Sequence, residues 1–329
     1  MSVEFGRVNL PLGIMLAPMA GYTDRAMRLV CRQWGCEYSV TEMVSAKAVV
    51  FDDKKTFSLA KIEEDEGPVA VQIFGSEPSV MAEAASRLEA PKEGVPPVAI
   101  DINMGCPVHK IFSNGEGSAL MRSPELIERI VKEVKTAVSI PVTVKIRAGI
   151  DTSHINAVEC ALAAEEGGAG MICVHGRTRV QMYGGKSDRE IIKKVKNSLH
   201  IPLFANGDVT SCDSALEMLR DTGADGIAIG RGAVGNPFIF TDVALALRGK
   251  EPAQIPLDTR VETALLQLRE AVIDKGERVA VNEARKQISF YLKGFRGASA
   301  LRQKINNSTT YKEVETAFTE ALKAEISVK

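Results

Sequence analysis

The chain has 329 residues, 45% of them hydrophobic and 25% charged, with a formal net charge of −1 at pH 7. That length can bury a full core with room for one large unit and a smaller one, and the near-neutral balance excludes wholesale coating of nucleic acid while leaving room for a local basic surface. No run approaches the roughly eighteen apolar residues of a membrane span, and Met1–Pro11 lacks a basic start followed by a long apolar stretch, so a cytoplasmic location is expected.

In chain order, short apolar runs alternate with longer helical patterns. Strands are expected at Ile14–Pro18, Tyr38–Met43, Val69–Phe74, Val98–Asn103, Val142–Arg147, Met171–His175, Pro202–Asn206 and Ile227–Gly230. Helices are expected near Asp24–Trp34, Ser79–Leu88, Pro124–Val138, Asn156–Glu166, Asp188–Ser198, Ser211–Thr222 and Pro237–Arg248. Ser123 before Pro124 and Ser211 before Asp213 carry N-cap signals, and Asp24 and Glu42 read as helix caps after the first two strands, with no catalytic part. An internal echo adds to the rhythm: Ser139-Ile140-Pro141-Val142 matches His200-Ile201-Pro202-Leu203, and the two copies run on to Gly176-Arg177 and Gly230-Arg231. The expected fold class is therefore α/β, a (β/α)8 TIM barrel over residues 1–248, since strands alternating with crossover helices over about 250 residues suit that closure. A linker at 249–258 and a small C-terminal all-α domain at 259–329, of roughly four helices, follow it.

The six cysteines, Cys31, Cys36, Cys106, Cys160, Cys173 and Cys212, form no Cys-x-x-Cys pair, so neither a disulfide framework nor a metal site is indicated. Cys106 stands apart from the others. The run Val98–Met104 stops at Gly105-Cys106-Pro107, which places this thiol where a buried parallel strand ends and a loop begins, the edge at which such folds carry chemistry. The alternative is a small buried hydrophobe, as most free cysteines are.

The other strand ends supply chemical content. Ala17-Pro18-Met19-Ala20-Gly21 follows the first strand, Gln72 lies in the third, Asn103 and Cys106 close the fourth, Lys145 and Arg147 lie in the fifth, and His175 ends the sixth. Asn206-Gly207-Asp208 and Gly230-Arg231-Gly232 end the last two, where glycine-rich turns offer N–H groups to a phosphate, so a phosphate-bearing cofactor is expected there with its reactive ring reaching toward Cys106. An amine such as Lys145 is costly on a barrel strand unless it faces the mouth or meets an acid. His175 reads as a core or a site histidine, and Gln72 as a structural bond or a cofactor contact. Near the C-terminus Arg285, Lys286, Lys293, Arg296, Arg302 and Lys304 share a stretch without acids, interleaved with Phe290, Tyr291 and Phe295. That pattern suits phosphate contact and base stacking, or a solvated face over core aromatics.

Together, Ala17–Asp24, Asp101–Pro107, Lys145–Arg147, His175–Thr178, Asn206–Asp208 and Gly230–Gly232 resemble the tRNA-dihydrouridine synthases. Within that family the chain is most similar to the bacterial B-type subgroup, a likeness that reaches Tyr291–Phe295. The resemblance implies an FMN enzyme that uses NADPH to reduce the C5=C6 bond of selected tRNA uridines, with hydride from reduced FMN to C6 and a proton from Cys106 to C5. It assigns Ala17, Pro18, Met19, Gln72, Lys145, His175, Asn206, Gly207, Asp208, Gly230 and Arg231 to the flavin, and Asn103, Arg177, Arg285, Lys286 and Lys293 to the substrate. The partner it implies is tRNA, with no membrane, metal or stable protein partner. Val108-His109-Lys110 departs from the small or basic residues usual after the motif, and His109 receives no role. The residues alone leave open a flavin barrel acting on a small pyrimidine, like a dihydroorotate dehydrogenase, a lyase using Lys145 as a Schiff-base amine, and a non-catalytic RNA-binding protein without flavin.

Overall fold

Branched aliphatic side chains suit a pleated strand covered on both faces, and each run of them expected from the sequence forms one. The computed structural model describes residues 2–292 and 297–326. An antiparallel hairpin, not expected from the sequence, comes first: β1 (Val3–Phe5) and β2 (Val8–Leu10). Then follow β3 (Ile14–Leu16), β4 (Tyr38–Val40), β5 (Val44–Ser45), β6 (Val69–Phe74), β7 (Ala99–Met104), β8 (Val142–Arg147), β9 (Met171–His175), β10 (Leu203–Asn206) and β11 (Gly226–Ile229). Because β4 and β5 are two parts of one interrupted path along β6, the ring β3-β4-β6-β7-β8-β9-β10-β11 closes on β3 with every pairing parallel. This is the expected (β/α)8 barrel.

Successive side chains of each strand divide between two cores. Ile14, Leu16, Val69, Val71, Ile73, Ile100, Ile102, Val142, Val144, Ile146, Ile172, Val174, Ile227 and Ile229 face the surrounding helices. The opposite parity points inward, where Met15, Tyr38, Ala70, Ala99, Met171, Cys173, Phe204 and Ala228 pack with Val3, Phe5, Val8 and Leu10 of the hairpin. The hairpin therefore fills the lower end of the barrel, with Phe5 edge-on to Tyr38 at 5.6 Å between ring centroids.

The expected crossover helices occupy residues 25–33, 78–89, 124–137, 157–166, 189–198, 212–222 and 239–247. Asp24 and Ser211 cap as expected, accepting the N–H groups of Met27 and Ser214. Ser123 is the N-cap ahead of Pro124 as expected, though without a side-chain cap bond, its hydroxyl donating instead to Glu125. The Glu42 expectation needs correction. Glu42 starts no helix; its carboxylate accepts the Gly21 N–H and so joins the loops after β3 and β4. The internal echo is structural: Glu89 accepts the N–H groups of Ser139 and Ile140 at 2.8 and 3.1 Å, and Glu165 those of His200 and Ile201 at 2.7 and 3.0 Å. Each carboxylate, at the end of one crossover helix, clamps the entry to a strand farther along the ring.

Among the described residues beyond Arg248 there are four α-helices, Leu257–Lys275, Glu277–Gln287, Ala298–Asn307 and Tyr311–Ile326, with a 3-10 segment Ile288–Leu292 between the second and third. Their core includes Val261, Leu268, Ile288, Tyr291, Leu301 and Phe318 and takes in Ala26 and Phe238 from the barrel. Arg25–Glu270 at 2.9 Å and Asp24–Lys275 at 2.6 Å fix the first of these helices against the helix after β3. If the hairpin is integral to the barrel, Phe5→Ala should cost about 3–5 kcal/mol, the usual toll for deleting a buried ring. The measurement is the urea unfolding midpoint; an unchanged midpoint would show that the plug is dispensable.

Candidate active site

The inward parity that is apolar low in the barrel turns polar toward its C-terminal end. Gln72, Asp101 and Thr143 form one cross-strand row in β6, β7 and β8; Asn103, Lys145 and Cys173 form the next in β7, β8 and β9; Arg147, His175 and Asn206 form the uppermost in β8, β9 and β10. Strand register thus brings together expected site residues up to 134 positions apart, from Gln72 to Asn206. It also adds Asp101 and Thr143, which received no role from the sequence. Their signal was present in the i, i+2 spacing Asp101/Asn103 and Thr143/Lys145/Arg147, all on inward positions.

Cys106 is buried, at 8% exposure, in a turn fixed from three sides. Its N–H donates to Asn103 Oδ1 at 2.9 Å, its carbonyl accepts the Ser118 hydroxyl at 2.7 Å, and the preceding Gly105 carbonyl accepts Arg147 Nε at 2.8 Å. Gly117 allows this closeness: at φ +60°, a Cβ there would lie 3.0 Å from Cys106 Cβ. The loop continues as a short helix, His109–Ser113, and a 3-10 segment, Gly117–Arg122. Phe112 is stacked by the guanidinium groups of Arg179 and Arg122, 3.6 and 4.4 Å from its ring centroid. His109 is exposed, with Nδ1 3.3 Å from Ser113 Oγ. Burial pushes the Cys106 thiol up, outweighing the Val108 N–H and the nearby Arg147 charge, so it is protonated at neutral pH.

His175 has the opposite character. Burial, and then the charges of Lys145, Arg147, Arg177 and Arg231, press its pKa down to about 2. Arg177 Nη1 lies 3.2 Å from Nε2, and because a guanidinium only donates, Nε2 is the acceptor and Nδ1 carries the proton. Arg177, expected at the substrate, is engaged inside the protein. It is 2% exposed and donates to both Asp208 oxygens at 2.7 and 2.9 Å, and to the Gly184 and Gly185 carbonyls at 3.0 and 2.7 Å. Burial would raise the Asp208 carboxyl, but the Ser187 N–H and Arg177 outweigh it and hold the group below its ordinary range.

Lys145 Nζ donates to Asn206 Oδ1 at 3.1 Å, and Asn206 Nδ2 is oriented by the Ala228 carbonyl at 2.7 Å. Burial lowers the Lys145 pKa from its ordinary value. Gly207, at φ +125°, lies where a Cβ would meet Ser187 Oγ at 2.4 Å, so only glycine fits between β10 and that loop. Arg231 is exposed, 4.6 Å from the Tyr183 ring centroid and 3.9 Å from Asp208. Ala17 extends the β3 ladder through its N–H to Ile229, while Met19 Sδ would meet a Cβ placed on Gly230 at 3.5 Å. Gln72 is 1% exposed and fully within the protein, bonded to Asp101 and Asn103.

The basic stretch divides by position. Arg285 is half-buried and donates to the Ser308 carbonyl at 2.7 Å, Lys286 is exposed, and Lys304 pairs with Glu320 at 3.0 Å. Tyr291 belongs to the core with its hydroxyl on Gln267, whereas Phe290 is exposed. Lys293, Phe295 and Arg296 lie outside the described residues.

A profile of the family described as Dihydrouridine synthase (Dus) matches residues 15–327. A probable tRNA-dihydrouridine synthase of Rickettsia conorii is 38% identical over 306 residues, 92% of this chain and 91% of the relative. The tRNA-dihydrouridine synthase B of Pseudomonas aeruginosa is 40% identical over 307 residues, again 92% and 91%. Among solved structures, the 6-hydroxypseudooxynicotine amine oxidase of Pseudomonas geniculata aligns with a TM-score of 0.59 at 13% identity, over 75% of this chain and 49% of that one, a likeness of fold.

The neutral His175 makes stability depend on pH in one direction. An unfolded imidazole takes a proton near pH 6.5 that the folded ring, at about 2, refuses. Its contribution is therefore whole above the unfolded value and shrinks as pH falls below it. The urea midpoint should drop between pH 7 and pH 5, with a shallower drop in His175→Asn. A His175 resonance that titrates between pH 5 and 8 would contradict the neutral ring.

Proposed function

From the premise that this chain belongs to the dihydrouridine synthase family, we propose that it reduces the C5=C6 bond of particular uridines in tRNA, with FMN as its flavin and NADPH as reductant. The observation that carries this reading is a buried, protonated thiol on a tied-down loop at the end of β7, one strand from the half-buried Lys145 of β8.

The residues present fit a flavin. Lys145 has three N–H donors and a single acceptor, Asn206 Oδ1, among the described residues, which leaves positive charge for an electron-rich ring edge. The exposed guanidinium of Arg231, at the turn that follows β11, suits a phosphate. In this reading Ala17, Pro18, Met19, Lys145, His175, Asn206, the main chain of Gly207 and Asp208, Gly230 and Arg231 hold the cofactor, with Gln72 supporting it from below. When bound, the flavin would supply the hydride that adds to uracil C6.

The remaining steps belong to side chains of this protein. Cys106 holds its proton until negative charge collects at C5, delivers it there, and is left as a thiolate that solvent must reprotonate. A thiol pushed upward by burial is the right species for that task, and the same shift postpones its ionisation, and so the loss of its proton, to more alkaline pH than for an ordinary thiol. Asn103 holds the Cys106 turn and faces the reacting base, while Arg147 and Arg177 position loops. The uridine must be unstacked and extruded at a cost of a few kcal/mol. We assign repayment of that cost to residues 259–329 as a tRNA-binding domain, with Lys286 and Lys293 on phosphates and Arg285 shaping the surface through Ser308. A cytoplasmic location accompanies this substrate.

The purified protein should absorb as a flavoprotein. Cys106→Ala should keep flavin and tRNA binding while single-turnover uridine reduction falls by about 10²–10⁴-fold; a rate equal to wild type refutes the proton-donor role. For Lys286→Glu, flavin content should stay normal while tRNA affinity drops and the slope of log affinity against log salt loses about one unit. Unchanged affinity would remove this segment from the RNA surface.

A further inference from the structure

We propose that Asp101 is a positioning residue whose acceptor-only carboxylate sets the direction of a buried hydrogen-bond chain ending on the main chain of Cys106. The inference deepens the reading of Cys106 as proton donor and rests on it.

Asp101 is 2% exposed, inside the barrel on β7, two residues before Asn103. An ionised carboxylate accepts and cannot donate. Its Oδ1 takes the Thr143 hydroxyl at 2.5 Å and its Oδ2 takes Gln72 Nε2 at 2.6 Å. The Gln72 amide therefore has one orientation available, nitrogen toward Asp101 and oxygen toward Asn103. Asn103 Nδ2 donates to that oxygen at 2.8 Å, which turns Asn103 Oδ1 to the loop, where it accepts the N–H groups of Cys106 at 2.9 Å and Gly105 at 3.2 Å. Reversing either amide would set donor against donor or acceptor against acceptor in a place without solvent.

A carboxylate in this position is costly, since burial disfavours its charge. Lys145, Gln72 and Thr143 favour the charged form. A neutral amide of the same shape would fill the same volume. What it lacks is a fixed direction: an asparagine at 101 could present either end to Gln72, and both amides beyond it would then sample two orientations, one of which releases the Cys106 N–H.

The test is hydrogen exchange of the Cys106 amide, compared with amides of the central strands β8 and β9, together with the rate at which iodoacetamide alkylates Cys106 in the purified full-length protein. In Asp101→Asn, Cys106 exchange and alkylation should accelerate about tenfold while the strand amides hold their protection. The double variant Asp101→Asn with Gln72→Glu moves the acceptor-only group one link along, restores the direction seen by Asn103, and should return Cys106 exchange toward wild type. Thr143→Val removes a hydrogen bond to Asp101 but leaves the direction intact, so it should lower the urea midpoint and leave Cys106 exchange within about twofold of wild type. The proposal is overturned if Asp101→Asn leaves Cys106 unchanged, if Thr143→Val loosens Cys106 as much as Asp101→Asn does, or if the double variant gives no recovery. None of these readouts uses turnover. Loss of the chain with an inactive Cys106→Ala removes Asp101 and spares the proton donor, whereas an intact chain with a fully active Cys106→Ala does the reverse.

Discussion

In a closed parallel barrel every strand has one face against helices and one against its fellow strands, and a polar group sent inward must find its partner there. That constraint governs this molecule. The outward parity is almost wholly Ile and Val, while the inward parity runs from aromatic and small residues at the bottom to amides, cations and a histidine at the top. Because inward polar groups bond from strand to strand, as Asp101 does to Gln72 and Thr143 and Lys145 to Asn206, the mouth is a preorganised set of side chains whose rotamers the barrel dictates. The inward polar groups sit on β6 to β10, and the loops are tied back to the strands through Arg147, Asn103 and Arg177.

The electrostatics of the mouth follow from the same packing. Lys145, Arg147, Arg177 and Arg231 all act on His175, and with Asp208 engaged by Arg177 they leave the region rich in positive charge. Two titratable groups respond in opposite ways. His175 is forced neutral, while Cys106 keeps its proton because burial prevails over one neighbouring guanidinium. An electropositive region with a neutral imidazole favours ligands that bring or develop negative charge.

The barrel was legible because its strands are continuous β-branched runs and its helices carry ordinary punctuation at Asp24, Pro124 and Ser211. The hairpin was missed although Val3-Glu4-Phe5 and Val8-Asn9-Leu10 alternate plainly, because three-residue strands carry too little pattern to compete with a reading of the segment as a lead-in. The helical turns after Cys106 were also missed, being short and held by contacts such as Ser118 on the Cys106 carbonyl. Sequence order put Gln72, Asn103, Lys145, His175 and Asn206 at strand ends but did not reveal register, so it could not tell which groups were consumed internally. Arg177 illustrates the limit: its partners Asp208, Gly184 and Gly185 are set by how one loop folds over another strand. Arg285 is similar, since counting charges does not disclose a carbonyl of Ser308 waiting for a donor.

The hairpin has a consequence for direction. With Phe5 set against Tyr38 and both strands packed into the lower end, that end of the barrel is closed by side chains. The polar rows of Lys145, Arg147 and His175 therefore face the opposite, C-terminal end of the strands. That polarity of the barrel is imposed by the eight residues of the hairpin, Val3 to Leu10, which lie at the end away from every polar row.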